Sequence, residues 1–143
     1  MRGRIGSGKS YRARALCSKS GAVLLSVDEA METLYGKECL GREKHVKAES
    51  GVLSYFLSLV EQLHVKGIDA VLDHGFWTAA ELKAATDYLE QRGIPYTVET
   101  VEADFETRLS RVHSRTDGKP FTREKLLKLD DYYEDIQDEI KKG

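Results

Sequence analysis

Residues 3–10 read Gly3-Arg4-Ile5-Gly6-Ser7-Gly8-Lys9-Ser10. The octet fits the pattern G-x-x-x-x-G-K-[ST], the phosphate-binding P-loop. The pattern has a mechanism. Glycines let the backbone curl until its N–H groups converge on phosphate oxygens. A helix opening from the loop adds its N-terminal dipole to the anion site. The lysine, Lys9, reaches the β- and γ-phosphates, and the Ser10 hydroxyl ligates Mg²⁺. An accidental match in a chain of this length has a chance of roughly half a percent at average composition. The octet therefore predicts that residues 3–10 bind ATP or GTP, against the bland reading of a fortuitous glycine-rich turn. Such a loop normally follows a buried strand, yet only Met1 and Arg2 precede it here.

Working outward, Lys9 to Lys19 reads as a helix leaving the loop, with Gly21 as its stop. The run Ala22-Val-Leu-Leu-Ser-Val27 is short, apolar and bounded by Gly21 and Asp28, which predicts a buried strand. Residues 29–48 carry no clear period and read as a short helix and a loop around Gly36 and Gly41. Val52, Leu53, Phe56, Leu59, Val60 and Leu63 stand at helical spacing over 50–66, and Gly67 closes that segment. Residues 68–73 are the second clear strand. Thr78 and Glu81 form a capping box, opening a helix that runs to Arg92 and stops at Gly93. Residues 96–102 read as a third strand, and Phe105, Leu109 and Val112 mark a further helix. Asp117-Gly118 and Pro120 predict a loop over 116–122. Leu126, Leu129, Tyr133, Ile136 and Ile140 then trace a C-terminal amphipathic helix, with Tyr132 and Tyr133 at its core and rim. Strands alternating with helices predict α/β layering with parallel pairing.

Composition narrows the class. The 143 residues suit one domain spanning 1–143. With 41% apolar and 32% charged residues the chain can bury a core and stay solvated, and no apolar run nears the length of a membrane span. No secretory signal is apparent. Cys17 and Cys39 match no metal or redox spacing, so reduced thiols in a cytoplasmic protein are expected. The net charge of −2 gives no support to nucleic-acid binding. Residues 1–20 nonetheless hold six Lys/Arg and no acid, which fits an anionic ligand. Asp130–Glu139 holds six acids and no base, as a solvated helix face does.

Two aspartates end strands: Asp28 after the first run and Asp73 at the close of the second. Ligands of open α/β sheets gather at the carboxyl ends of strands, so both carboxylates are expected in one crevice with the loop. Asp28 is the candidate base that takes a proton from an attacking hydroxyl, and Asp73 the candidate metal-site residue beside Ser10. Helix capping is the alternative for Asp28. Arg108, Arg111 and Arg115 share one helix face, where guanidinium forks suit phosphates; a solvated basic face is the alternative. His74 reads first as a structural histidine, and His45, His64 and His113 show no ligand spacing. Gly75-Phe76-Trp77 reads equally as a substrate wall or as packing.

The order of these elements resembles a family. A glycine loop with GSGKS, a strand with SVDE, a strand with VLDHGFW, then RLSRVHSR and a loop are similar to the P-loop kinases of the AAA-domain type. That group includes the kinase domain of phage polynucleotide kinase, with zeta toxins and chloramphenicol phosphotransferases as more distant relatives. The resemblance runs from Gly3 to about Tyr133. It implies a three-layer sandwich with a mainly parallel sheet of order 2-3-1-4 and a C-terminal helical lid over about 108–125, centred on 115–122. It makes Asp28 the base and Arg111 and Arg115 the lid arginines, one on the phosphates and one near the adenine. Two departures stand out. The polynucleotide kinase pattern has a substrate-gripping arginine three residues after the base, where this chain has Met31. The central first strand is missing, so strands 68–73 and 96–102 would flank an empty slot with unpaired backbone groups. Truncation of a longer protein is the favoured explanation; closing up of the sheet, or a strand supplied from elsewhere, are the others.

The sequence thus predicts an ATP- and Mg²⁺-dependent phosphotransferase acting on a hydroxyl of a small or nucleoside-like acceptor. A polynucleotide 5′-hydroxyl kinase and a non-catalytic nucleotide-binding protein are the alternatives. The acceptor, the choice between ATP and GTP, and the oligomeric state carry no signature.

Overall fold

A computed structural model describes residues 1–36, 40–115 and 122–133; the side chains of Ser114 and Arg115 lie outside the described set. The chain runs through β1 (Arg2–Gly3), α1 (Lys9–Ser20), β2 (Val23–Ser26), α2 (Val27–Tyr35) and α3 (Arg42–Val65). It continues through β3 (Ala70–Asp73), α4 (Ala79–Gln91), β4 (Thr100–Val101), α5 (Phe105–Arg115) and α6 (Arg123–Asp130). This is an α/β chain with parallel strand pairs.

β2 and β3 pair in parallel over four residues, with Ser26 opposite Asp73. That register brings the ends of both strands, and the residues just beyond them, to one level. β1 pairs in parallel with β4, Arg2 opposite Thr100 and Gly3 opposite Val101. The first strand, expected to be missing, is therefore present over two residues. Backbone bonds tie it to the end of β3 as well. The Met1 amine donates to Leu72 O at 2.8 Å, His74 N to Met1 O at 3.4 Å and Gly3 N to Gly75 O at 3.3 Å. The space that the sequence leaves empty is thus occupied beside the carboxyl end of β3, the end that carries the site. β4 is shorter than the 96–102 run predicts, because a strand needs a neighbour and Met1–Gly3 reaches only Glu99 to Val101.

Local chemistry sets the helix ends. Ser26 caps α2, its Oγ accepting Glu29 N at 3.3 Å. Thr78 caps α4, its Oγ1 accepting Glu81 N at 3.2 Å while Glu81 reaches back to Trp77 N at 3.1 Å. α1 stops at Gly21, whose φ of 74° and bond to Cys17 O make a left-handed cap. α1 packs on β2, β3 and β4, and α3 packs on α2, α4 and β3. The main core cluster joins Leu57 of α3, Leu82 and Ala85 of α4, and Phe76 of the β3–α4 turn.

α3 is longer than its apolar stripe. It begins at Arg42, eight residues before the predicted start. Its first two turns are polar and so lack the hydrophobic period. The predicted C-terminal helix is observed as α6 up to Asp130; residues 134–143 and the loop 116–121 lie outside the described residues. Among the described residues, no helix is long and apolar enough to cross a membrane.

Candidate nucleotide and acceptor site

The loop between β1 and α1 is folded tightly enough to specify its glycines. A Cβ on Gly3 would meet Ser7 Oγ at 2.6 Å and Val101 O at 2.8 Å. Gly6 sits at φ 76°, and a Cβ there would meet Arg108 O at 2.8 Å. Gly8 caps α1 with no side-chain hydrogen bond, and no acidic residue stands in the first turn. The amides at that helix start are therefore offered to a ligand rather than to a capping carboxylate. Ser7 Oγ is buried without a hydrogen-bond partner among the described residues, an unmet polar atom inside the loop.

Beneath the loop, three predicted residues meet. Lys9 Nζ donates to Asp73 Oδ1 at 2.5 Å, and Ser10 Oγ donates to Asp73 Oδ2 at 2.9 Å. The Asp73 side chain is fully buried and that of Lys9 nearly so. A buried carboxylate needs such hydrogen-bonding partners, and here both come from the loop. A hydroxyl and a carboxylate side by side form a hard-oxygen donor set of the kind Mg²⁺ takes.

The loop opens into a cavity of about 540 Å³. Gly3, Ile5, Gly6, Ser7, Gly8, Lys9 and Ser10 form one wall. Asp28 lines it from the first turn of α2, where it is exposed; Ser26 supplies the cap, so the capping alternative for Asp28 is taken by another residue. Arg42, His45, Val46 and Glu49 line a second wall from one face of α3, and His74, Gly75, Trp77 and Thr78 of the β3–α4 turn complete it with Glu81 of the first turn of α4. Leu129 and Tyr132 border the mouth, with the Arg42 guanidinium 4.6 Å over the Tyr132 ring. Gly75-Phe76-Trp77 divides between its two readings: Trp77 lines the cavity and Phe76 packs in the core. His74 is buried among Glu49, Glu81 and Phe76, and burial pushes its pKa below the ordinary value, against the pull of Glu49, Glu81 and Asp28.

The arginines separate. Arg111 Nη1 donates to Gly6 O at 3.1 Å, which lays its guanidinium on the glycine loop. Arg108 is buried and forks onto Asp130 at 2.8 and 2.7 Å, joining α5 to α6, so its role is structural. The side chain of Arg115 lies outside the described residues. The basic N-terminal segment is mostly spent on the fold. Arg2 is fully buried and donates from Nε to Phe76 O and from Nη1 to Tyr133 Oη, both at 2.6 Å. Arg4 stacks at 4.6 Å on the ring of Tyr133, while Arg12 and Arg14 pair with Glu99 and Glu29. Cys17 is a free thiol whose pKa is raised by burial, and Cys39 lies outside the described residues.

Arg42, His45, Glu49 and Tyr132 were not legible as site residues, and Glu81 read only as half of a capping box. The spacing i, i+3, i+4, i+7 over Arg42, His45, Val46 and Glu49 is the signal that could have found one face of α3.

A family model described as an AAA domain matches residues 1–136, and the chain belongs to that P-loop NTPase-like family. No curated protein matches the chain. Membership supports nucleotide binding by the glycine loop.

Proposed function

We propose that the protein is a kinase that moves the γ-phosphoryl group of ATP to a hydroxyl of a small acceptor. The observation that carries the reading is the meeting of Lys9, Ser10 and Asp73 beneath the glycine loop, inside a cavity that also holds Asp28. The unmet Ser7 hydroxyl, the uncapped start of α1 and the tight Gly3 fit a phosphate chain. Ser10 and Asp73 would hold Mg²⁺, which when bound neutralises charge on the phosphate oxygens.

The chain's own residues then divide the work. Lys9 and the loop amides bind and orient the phosphates. Asp28 accepts the proton of the acceptor hydroxyl as that oxygen bonds to the γ-phosphorus and the bond to the bridging oxygen breaks, with ADP as leaving group. Arg111, already on the loop, stabilises charge on the transferring group. Arg115 and residues around 108–125 act as the lid that excludes water.

The second reading, a polynucleotide 5′-hydroxyl kinase, has less support. Met31, at the position of the substrate-gripping arginine, is buried at 8% exposure, and Asp28, Glu49 and Glu81 make the far side of the cavity acidic.

The test combines two variants and a chelator. Lys9→Ala is expected to abolish ATP turnover, and EDTA to do the same for the unaltered protein. Asp28→Asn is expected to keep ATP binding by calorimetry and to lose phosphoryl transfer by at least about 100-fold, the usual scale of a general base. Full transfer by Asp28→Asn removes the base assignment. Absence of ATP binding by the folded protein removes the kinase reading and leaves a non-catalytic domain.

A further inference from the structure

The acceptor-side wall of the cavity holds a group of side chains that phosphoryl transfer leaves unused. His74 comes from the β3–α4 turn, Glu49 from α3 and Glu81 from the first turn of α4. One ligand atom of each lies within 4.8 Å of the other two. His74 Nε2 stands 3.7 Å from Glu49 Oε1 and 4.0 Å from Glu81 Oε2, beyond hydrogen-bond reach of both.

Two features make this more than a chance acidic patch. The His74 side chain is only 7% exposed, and its Nδ1 is buried with no hydrogen-bond partner among the described residues. Buried imidazoles ordinarily bond through a ring nitrogen, so a histidine that bonds through neither and aims Nε2 at two carboxylates lacks a ligand. In addition, His45 stands one helical turn before Glu49, with Nε2 3.1 Å from Glu49 Oε2. A fourth donor is therefore within reach on the same helix face.

We propose that Glu49, His74 and Glu81 form a binding site for a divalent transition metal of the zinc type, with His45 available as a fourth ligand. One imidazole and two carboxylates on three separate elements are a mixed nitrogen–oxygen donor set, which suits zinc better than magnesium or calcium. Zinc bonds of about 2.0–2.2 Å ask the three atoms to draw closer than they stand. Glu49 and Glu81 are 27% and 43% exposed along their side chains and can turn inward, while buried His74 supplies the fixed point. This site is separate from Ser10 and Asp73, whose oxygen-only set suits Mg²⁺. A bound ion would also cancel charge on the acidic wall and tie α3 to the start of α4.

The probe is Zn²⁺ itself. Tag-free protein stripped with EDTA, dialysed, and titrated with zinc chloride by calorimetry without nucleotide should bind one Zn²⁺ per chain. Glu49→Gln and His74→Gln should each weaken that binding by about 10-fold or more, the scale of a lost supporting contact at a metal site. Ser10→Ala should leave it unchanged. Glu49→Gln lies on a partly exposed helix face and decides the matter if His74→Gln fails to fold. No zinc binding, or binding that survives Glu49→Gln at full strength, overturns the site. ATP binding by Glu49→Gln is a separate measurement, so this site and the nucleotide site can fail independently.

Discussion

At the scale of single residues, the pair Lys9–Asp73 sets the balance between stability and ligand binding. Asp73 is sealed from water and satisfied by Lys9 and Ser10. Removing Lys9 alone strands a buried carboxylate, and such a loss costs about 3–5 kcal/mol. Lys9→Met is therefore expected to unfold at clearly lower denaturant, and Lys9→Met with Asp73→Asn to recover much of the loss, because the stranded charge is gone. Chemical denaturation of the two variants checks this; equal midpoints for the two would mean that the stranded carboxylate costs nothing. On the proposed reading, an arriving phosphate would compete with Asp73 for the ammonium of Lys9. Arg2 works in the opposite direction. Its bonds to Phe76 O and Tyr133 Oη hold a turn in which Phe76 adopts a φ of 47°, a left-handed conformation costly for a side chain of that size. That turn carries His74 and Trp77 into the cavity.

At the scale of elements, α5 is fixed at its start by a cap that titrates. Asp104 accepts Thr107 N at 2.8 Å and Thr107 Oγ1 at 2.8 Å, and these bonds hold its carboxyl below the ordinary value. A carboxyl with a depressed folded pKa contributes stability that is full above its unfolded value of about 3.9 and is lost as pH falls through the lower folded value. Asp104→Ala is thus expected to lower the thermal midpoint at pH 7, by a margin that shrinks as pH falls below about 3.9. A deficit that persists unchanged at pH 3 would point to packing instead. Most elements were legible because their signals are local. Helices stop at glycines, and Thr78 with Glu81 announces α4. Others were misread for reasons that are not local. The first turns of α3 face a cavity and carry polar side chains, and β4 extends only as far as its neighbour reaches.

For the whole molecule, the cavity between the glycine loop, α3 and the β3–α4 turn limits what can enter. Its far wall carries Asp28, Glu49 and Glu81, and the arginines of the first segment turn away from it toward Tyr133, Glu99 and Glu29. A polyanion would meet repulsion from those three carboxylates, offset only in part by Arg42 on the same α3 face. Labelled ATP incubated with 5′-hydroxyl oligonucleotides should yield no labelled product, and efficient labelling would reinstate the polynucleotide reading. By itself the sequence determined the phosphate loop, the helix that opens from it, a strand that closes at Asp73 and another that gives way to a helix just before Asp28. Each depends on glycine freedom, hydrophobic period and turn chemistry within a few residues. Only the tertiary structure decided that Asp73 would close on Lys9 and Ser10 across 64 and 63 residues, that two residues would serve as the first strand, and that a buried histidine would face two glutamates. Those meetings are set by strand register and helix packing, which no local pattern encodes.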